Sequence, residues 1–498
     1  MRSLAAFRIC LAFLLLVDLF DRGRDLRAHY ADWGVLPRAP LLDLFLHPYC
    51  FSLHFINGTW QWQLFLFLLA GLFALALLLG YRTRLMTVGS WVLLVSLHNR
   101  NPFVLQGGDT LLRMSLFWAM FLPLGDRWSL DRQMERAASM EREPQRVLTW
   151  ATVAVLGQVM LVYVCAGLMK TGPEWVDDHT AVYYAMSVDH LTTPLGHRLL
   201  EYPELMRALT YLTVKIELFA PLLLIVPIYT TFFRSLAILL LFGLQMRFGA
   251  TIRIFLFPWI CCVALLPLIP SAFWEKLLRS NLATRWISGA TKRTPMRLIE
   301  WLRRGETRGS PPGSTPRWVN LTAAFSLVYV VLWNLGTLPE SVMTRKVGVP
   351  ESPQWIAMVL RVDQRWDMFA PRPLKDDGWY VIPGTLVDGR DVDVFRGGAP
   401  VTWTKPKLVA YTYKNQRWQR YMVNLWNRDL HAFRRFYGRY LCRSWNEGRT
   451  GGAQLDRFTI YFMREDTLPH GEDVPRRVTL WNHFCFGMPK GSDEGGEE

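Results

Sequence analysis

An apolar segment that begins at Val147 ends in the sequence Ala166-Gly167-Leu168-Met169-Lys170-Thr171-Gly172-Pro173-Glu174-Trp175. The segment is long enough to cross a bilayer once as an α-helix. Lys170 lies at the edge of the apolar run, and Gly172-Pro173 predicts that the helix ends immediately afterwards. The sequence therefore predicts a membrane-spanning helix with a lysine at one end and a tryptophan at interface depth beyond it.

Lys170 allows two interpretations. Its ammonium group could extend to the membrane surface, with Trp175 as one of the tryptophans that are common at membrane interfaces. Alternatively, Lys170 could be a base held where water is scarce, because desolvation disfavours the charged form of a lysine and leaves a neutral amine. These residues alone leave both interpretations open.

The whole chain has the composition of a protein that crosses the bilayer repeatedly. Of its 498 residues, 51% are hydrophobic, and apolar runs near the spanning length recur. We expect a mostly α-helical, polytopic membrane bundle with about nine spans, the first being a retained helix rather than a cleaved signal peptide. Besides the segment above, the predicted spans are Leu4–Phe20, Gln61–Gly80, Leu85–Leu97, Leu111–Leu124, Leu209–Ile228, Phe232–Met246, Ile252–Ile269 and Trp318–Leu335.

The distribution of positive charge predicts the orientation in the membrane. The net charge is +15, and the most basic predicted loop extends from Ser271 to Pro316. A cytoplasmic N-terminus places this loop inside, in agreement with the positive-inside rule. The same count places Lys170, the loop from Asn99 to Asp109 and everything after Leu335 on the extracytoplasmic side. The expected partner is the lipid bilayer and not a nucleic acid, because no nucleic-acid-binding motif accompanies the charge.

Polar side chains between and inside the predicted spans indicate a candidate cavity. The stretch from Asn99 to Asp109 contains Pro and Gly-Gly, which is typical of irregular backbone lining a cavity and also of an ordinary loop. Glu217 lies near the start of a later span, where a carboxylate faces a cavity or stays at the interface. We predict that the side chains lining a cavity around Lys170 are Asn99, Asn101, Asp109, Trp175 and Glu217.

The last third of the chain has the pattern of a small α+β domain. Asp388-Gly389 predicts the turn of a hairpin, and further strands are expected at Arg457–Phe462 and Val478–Trp481. Helical spacing from Asn415 to Trp445 gives one aromatic face. The expected organisation is a transmembrane bundle (1–270), a basic cytoplasmic loop and linker (271–317), a last span (318–336) and an extracytoplasmic α+β domain (337–498).

The seven cysteines show no spacing typical of a metal site, and no cluster of His, Cys and Asp has ligand spacing. We therefore expect no metal. Cys442 and Cys485 would share the extracytoplasmic side, where one disulfide between them could form.

Short sequences along the chain carry a resemblance to a known family. They are Ala166-Gly167-Leu168-Met169-Lys170 with Trp175, Pro40–Asp43, Leu79–Arg82, Ile252–Leu256 and Trp366–Pro371. Their order resembles the HTTM (horizontally transferred transmembrane) family, which includes the vitamin K-dependent gamma-carboxylase, over roughly the first 270 residues. In the carboxylase, a lysine matching Lys170 deprotonates reduced vitamin K, oxygen generates a stronger base that removes a γ-proton from a peptide glutamate, and CO2 adds.

The resemblance implies a reduced naphthoquinone as cofactor, Lys170 as general base and a peptide or protein substrate on the extracytoplasmic side. Two positions depart from the carboxylase pattern. Asn101 stands where the carboxylase has a histidine, and its later Phe-His pair is replaced near Gln245-Met246. The carboxylase's long C-terminal region is not recognisable in residues 345–498, so substrate recognition is not implied by the retained scaffold.

Two functions remain to be compared. The first is a carboxylase-like or oxidoreductase enzyme acting on a quinol, in which Asn101 orients the quinol and Glu217 pairs with Lys170 or relays protons. A permanently ionised Glu217 beside Lys170 would oppose its action as a base. The second is a non-catalytic protein whose spans anchor the C-terminal domain for binding of a partner or lipid.

Lys170 facing a closed polar cavity would favour the enzyme, whereas Lys170 facing lipid or water would favour the anchor. Exposure of Trp379, Trp418 and Trp426 would also favour the anchor. A transporter is disfavoured, because we see no paired broken spans.

Overall fold

A computed structural model describes residues 1–136, 147–279, 316–343, 347–468 and 471–487. These residues form a helical bundle and a smaller domain built around an antiparallel sheet. The structure is thus mostly α-helical, as the sequence predicts. Most of the predicted basic loop at 271–317 lies outside the described residues, and the division of the chain at 270, 317 and 336 stays a prediction.

The bundle consists of long helices joined by short ones. In chain order its helices are α1 (Arg2–Gly23), α2 (Leu26–Tyr30), α3 (Arg38–Leu44), α4 (Trp60–Leu79), α5 (Thr83–Arg100), α6 (Gly107–Ala119), α7 (Leu130–Arg136), α8 (Trp150–Leu168), α9 (Pro173–Val176), α10 (Ala181–Ser187), α11 (Pro194–Leu199), α12 (Pro203–Phe219), α13 (Thr230–Thr251), α14 (Phe257–Leu265), α15 (Ser271–Arg279) and α16 (Arg317–Gly336).

Among the described residues, six helices are long and apolar enough to cross a membrane: α1, α4, α8, α12 extended to Ile225, α13 and α16. A pair bent by 97°, Phe257–Leu268 and Ser271–Leu277, makes seven if it counts as one span. The predicted number of about nine spans is not confirmed. Helix α6 has only 13 residues, and α5 ends in the polar sequence His98-Asn99-Arg100, which the protein itself buries.

Helix α8 occupies the centre of the bundle and packs against α6, α12 and α16. Its buried face contains small residues such as Ala151, Ala154 and Gly167, which allow neighbouring helices to approach closely. At Gly167 a methyl group would lie only 2.8 Å from Leu218 of α12. The absence of a side chain at Gly167 therefore sets the close contact between α8 and α12.

The C-terminal domain has a sheet of six antiparallel strands with two helices beside it. The long strand β4 pairs with β1, β2, β5 and β6, and β2 pairs with β3. The strands are β1 (Asp376–Val381), β2 (Pro383–Leu386), β3 (Asp391–Asp393), β4 (Leu455–Leu468), β5 (Gly471–Glu472) and β6 (Arg476–Phe484). The helix α17 (Gln354–Leu360) precedes the domain and packs on the apolar core of the bundle. The two helices of the domain are α18 (Gln416–Trp426) and α19 (Arg434–Asn446).

The strands and the hairpin predicted for this domain agree with the structure, whereas the stretch of helical spacing from Asn415 to Trp445 is divided into α18 and α19 by a 3-10 turn at Arg428–Phe433. The predicted hairpin is formed by β2 and β3, with Gly389 between them at φ 86°, a conformation that glycine adopts without strain. The two further predicted strands fall within β4 and β6. Cys442 and Cys485 are joined in a disulfide, with Cα atoms 5.4 Å apart.

The bundle and the C-terminal domain are joined through buried charges. Arg417 of α18 lies 2.5 Å from Asp18 of α1 and 2.7 Å from Asp109 at the start of α6. Arg22 contacts the same two carboxylates, at 2.8 and 2.5 Å. The backbone N–H of Gly172 donates to the carbonyl oxygen of Pro371 across 3.0 Å. The domain therefore covers the end of the bundle at which α8 ends.

Candidate functional site

The site begins where α8 ends. The helix stops at Leu168, shortly before Gly172-Pro173, as the sequence predicts. Lys170 then turns back along its own helix, and its Nζ donates a hydrogen bond to the carbonyl oxygen of Ala166 across 3.1 Å. That carbonyl belongs to the last turn of the helix, which lacks backbone donors. The side chain of Lys170 is thereby held inside the bundle instead of extending to the surface.

Glu217 of α12 is the ionic partner of Lys170. The Nζ atom of Lys170 lies 2.7 Å from Oε2 of Glu217, and the two side chains are 3% and 5% exposed. The ring of the buried Trp175 lies on another side of the amine, with its centroid 5.1 Å from Nζ. The structure therefore brings together three predicted site residues, Lys170, Glu217 and Trp175.

These three residues line a cavity of about 420 Å³ between the bundle and the C-terminal domain. Its wall is mainly apolar, with side chains that include Val162, Val182, Met186, Phe248, Phe257 and Phe369. A volume of this size is typical of sites for small organic ligands. Lys170 thus faces a cavity and not lipid.

A second group of polar side chains lies in the same wall. Gln245 of α13 donates to the hydroxyl oxygen of Tyr163 across 3.1 Å, and its buried Oε1 has no hydrogen-bond partner among the described residues. Arg247 donates to the hydroxyl oxygen of Thr213 across 2.7 Å. Gln245 lies in the region where the resemblance places the Phe-His pair of the carboxylase. An amide and a guanidinium group are therefore available to orient a polar group of a ligand.

Asn99, Asn101 and Asp109 are not in the wall of this cavity. Asn99 donates to the carbonyl oxygen of Phe51 across 2.7 Å, and Asn101 donates to that of His29 across 2.9 Å. Each side chain satisfies a backbone carbonyl of a neighbouring segment, which costs less than leaving that group buried and unpaired.

Asp109 has a structural partner as well. Burial acts to raise the pKa of its carboxyl group, but Arg417 and Arg22 hold that pKa well below its usual range. The carboxylate joins the bundle to the C-terminal domain. From the same loop, Gln106 and Gly107 border the cavity instead.

The sequence did not predict that the C-terminal domain supplies part of the cavity wall. Met368 and Phe369 border the cavity, and the indole N–H of Trp175 donates to the carbonyl oxygen of Phe369 across 2.8 Å. The sequence Trp366–Pro371, already noted for its family resemblance, was the available signal. Helix α18 also contributes Gln419 and Arg420, which no local pattern marks as site residues.

Two groups of buried side chains have oxygen and nitrogen atoms close enough to share an ion: Asp18, His98 and Asp109, and Asp189, Asp377 and Glu465. In the first group the carboxylates of Asp18 and Asp109 already form ion pairs with Arg22 and Arg417. In the second, Lys405 lies 2.6 Å from both Asp189 and Glu465. We assign no metal to either group.

The tryptophans Trp379, Trp418 and Trp426, whose exposure would have favoured the anchor, are not exposed. Trp379 is buried, and Trp418 and Trp426 pack partly buried against the core of the domain. They therefore give no support to a partner-binding surface on that domain.

The fold and the site define a polytopic membrane protein in which a lysine and a glutamate are buried together at one end of the bundle. A comparison with protein families matches the HTTM domain over residues 1–274, more than half of the chain. The chain belongs to the HTTM domain family, to which the gamma-carboxylase is related. No solved structure matches the chain.

Proposed function

We propose that the protein is a membrane enzyme that acts on a lipid-soluble quinol, with Lys170 and Glu217 as its acid–base pair. The observation that carries the proposal is the buried Lys170–Glu217 pair, 2.7 Å apart, in the wall of a mainly apolar cavity. Such a pair is a poor source of stability, because desolvating two charges offsets most of their attraction. Ionisable residues buried in this way more often mark a functional site.

The cavity has the properties that a quinol needs. Its apolar wall suits a naphthoquinone ring system, and its wall also carries polar groups, among them Lys170 and Gln245. Reduced naphthoquinones are apolar and dissolve in the bilayer, so a cavity inside a membrane bundle can receive one directly. The family resemblance gives the same ligand class.

The pair can exchange a proton without a net change in charge. When the proton of Lys170 moves to Glu217 along their hydrogen bond, the amine becomes neutral and its lone pair can accept a proton from a quinol hydroxyl. The quinol O–H bond breaks, an N–H bond forms, and the electron pair stays on the quinol oxygen. Glu217 thus stores the proton that Lys170 must first lose.

The test compares four forms of the full-length protein in lipid nanodiscs. Binding of a reduced naphthoquinone and its oxidation under oxygen are measured separately, against the rate without protein. We expect Lys170→Ala to lower turnover by a factor of about 10²–10⁴, the usual contribution of a general base. Glu217→Gln should also lower it, because the amide cannot store the proton. Lys215→Ala is the matched control, since this exposed lysine lies on the same helix as Glu217.

Three results would contradict the proposal or part of it. Absence of quinol binding by the wild type would favour the anchor function instead. Undiminished turnover in a well-folded Lys170→Ala protein would remove Lys170 from the mechanism. Faster turnover in Glu217→Gln would mean that Glu217 only holds Lys170 in its charged form.

We also propose that the N-terminus is cytoplasmic and the C-terminal domain extracytoplasmic. In the carboxylase-related reaction, the base formed from the quinol would then act on a peptide on the outer side. An Arg476→Cys variant should react with a membrane-impermeant thiol reagent in intact cells, and labelling only after lysis would reverse this orientation.

A further inference from the structure

His190 lies in the loop between α10 and α11 and borders the cavity around Lys170. It also borders a second cavity, of about 540 Å³, whose wall is otherwise formed by the C-terminal domain. The residues common to both walls, which we name the shared wall, are His190, Leu374, Arg420 and Val423. An ionisable side chain therefore stands between the quinol cavity and the C-terminal domain.

The imidazole of His190 is held in one orientation by the C-terminal domain. Its Nδ1 lies 2.5 Å from Oδ1 of the buried Asp377 on β1, and its backbone N–H donates to Oδ2 of Asp377 across 3.3 Å. The side-chain amide of Gln419 donates to the carbonyl oxygen of His190. A carboxylate at Nδ1 fixes the hydrogen on that nitrogen and leaves the lone pair of Nε2 as an acceptor. The same arrangement orients the histidine in many acid–base sites.

We propose that His190 is a second proton-exchanging residue of the quinol site and accepts a proton from the hydroxyl that Lys170 does not reach. The inference rests on the proposed function and deepens it. In this step the second quinol O–H bond breaks, an Nε2–H bond forms, and the electron pair stays on the quinol oxygen. Asp377 stabilises the imidazolium that results.

The chemistry of a quinol requires more than one proton acceptor. A hydroquinone has two hydroxyl groups, and both protons leave when it is oxidised to a quinone. Lys170 and Glu217 act as one pair and accept one proton. His190 belongs to another segment and has its own carboxylate, so the cavity contains two independent acceptors on different parts of its wall.

Arg420 can stabilise the negative charge that proton removal creates. Its Nε donates to the carbonyl oxygen of Leu105 across 3.0 Å, and among the described residues it forms no ion pair. By contrast Arg417, on the same helix, forms ion pairs with Asp18 and Asp109. A guanidinium group in the shared wall, with no carboxylate within ion-pair distance among the described residues, attracts an anionic oxygen of the ligand.

The experiment measures equilibrium binding, so it does not depend on turnover. The probes are a methyl-substituted naphthohydroquinone and its two monomethyl ethers, each of which removes one of the two hydroxyl protons. We expect the wild type to bind the parent quinol about tenfold more tightly than either ether, the effect of losing roughly one hydrogen bond. The His190→Ala variant should bind one of the two ethers as tightly as the parent quinol. The Lys170→Ala variant should do the same with the other ether.

Two further variants separate the role of His190 from folding. Asp377→Asn keeps the volume but not the charge of the orienting group, and should weaken the same preference as His190→Ala. His197→Ala is the matched control, because His197 lies near the same loop, contacts Asp189 at 3.5 Å and borders neither cavity. It should retain both preferences.

Each outcome decides the question. If His190→Ala keeps both preferences, or if both alanine variants lose the same one, His190 is not the second acceptor although the quinol site stands. If the wild type binds all three probes equally, the cavity binds a quinone ring without proton exchange. If the wild type binds none of them, the proposed function and this inference both fail.

Discussion

At the scale of single residues, His29 shows how burial by tertiary contacts changes a side chain. Its ring lies 4.4 Å from the ring of Trp418, centroid to centroid, and neither ring nitrogen has a hydrogen-bond partner among the described residues. Burial lowers the pKa of His29 to about 3, from 6.5. The imidazole of the folded protein therefore stays neutral down to about pH 3, whereas the unfolded chain takes up a proton as the pH falls below 6.5.

The pKa of His29 is lower in the folded protein than in the unfolded chain. Above pH 6.5 His29 is neutral in both states and does not change the free energy of unfolding, whereas below pH 6.5 protonation of the unfolded chain destabilises the folded protein. The free energy of unfolding should fall by up to about 1.4 kcal/mol per pH unit for this proton. We expect His29→Phe to reduce the fall of the thermal unfolding temperature between pH 7 and 5. The exposed His47, changed to Asn, should leave that fall unaltered. An equal pH dependence in wild type and His29→Phe would contradict the prediction.

At the scale of elements, the contact between α8 and α12 determines whether Lys170 meets Glu217. A Cβ atom at Gly167 would lie 2.8 Å from Leu218 Cδ2 and 3.3 Å from Glu217 Cβ. The sequence predicted both helices, but their mutual register depends on the lack of a side chain at this one position. The ion pair is therefore a property of the helix pair.

We expect Gly167→Leu to separate α8 from α12 and to destabilise the protein by about 1–3 kcal/mol, the usual cost of overpacking. The quinol binding that we propose should weaken as well, because Glu217 moves away from Lys170. The control is Gly243→Leu on α13, where no atom lies within 4 Å of the position of an added Cβ. Thermal unfolding of both variants is the measurement, and equal unfolding temperatures would refute the packing argument.

At the scale of the whole molecule, Arg417 joins the C-terminal domain to the bundle. Its guanidinium lies between Asp18 and Asp109, and all three side chains are buried. Because the bundle and the C-terminal domain both contribute to the wall of the cavity around Lys170, this ion network also maintains the cavity. Residues Ala357 and Val362 extend the apolar core of the bundle into the chain that leads to the domain.

Replacement of Arg417 by alanine leaves the two buried carboxylates Asp18 and Asp109 with Arg22 as the one arginine, among the described residues, in contact with both. We expect a loss of about 3–5 kcal/mol in the free energy of unfolding and faster proteolysis of the C-terminal domain. Arg476→Ala, at an arginine that is 67% exposed and paired with Asp466 and Asp473, should cost less than about 1 kcal/mol. Similar unfolding temperatures for the two variants would show that the buried network does not hold the domain in place.

The sequence by itself determined the features that depend on neighbouring residues. Apolar length predicted the membrane helices, Gly172-Pro173 predicted the end of α8, and Asp388-Gly389 predicted the hairpin, because backbone preference and hydrophobic period act over a few residues. The short length of α6 and the polar end of α5 are features that apolar length did not predict. Tertiary packing buries some apolar segments inside the protein, and their composition alone does not distinguish them from membrane spans.

Only the tertiary structure decided which side chains meet. Glu217 and Lys170 are in contact although they are 47 residues apart in the sequence, and Asp377 and His190 are 187 residues apart. Asp109 resembled a cavity residue, yet it binds Arg417, which lies 308 residues away. Such pairs depend on the close contact of helices and on the docking of the C-terminal domain, and neither leaves a periodic signal in the sequence. Composition therefore determined the membrane bundle, whereas long-range packing determined the site.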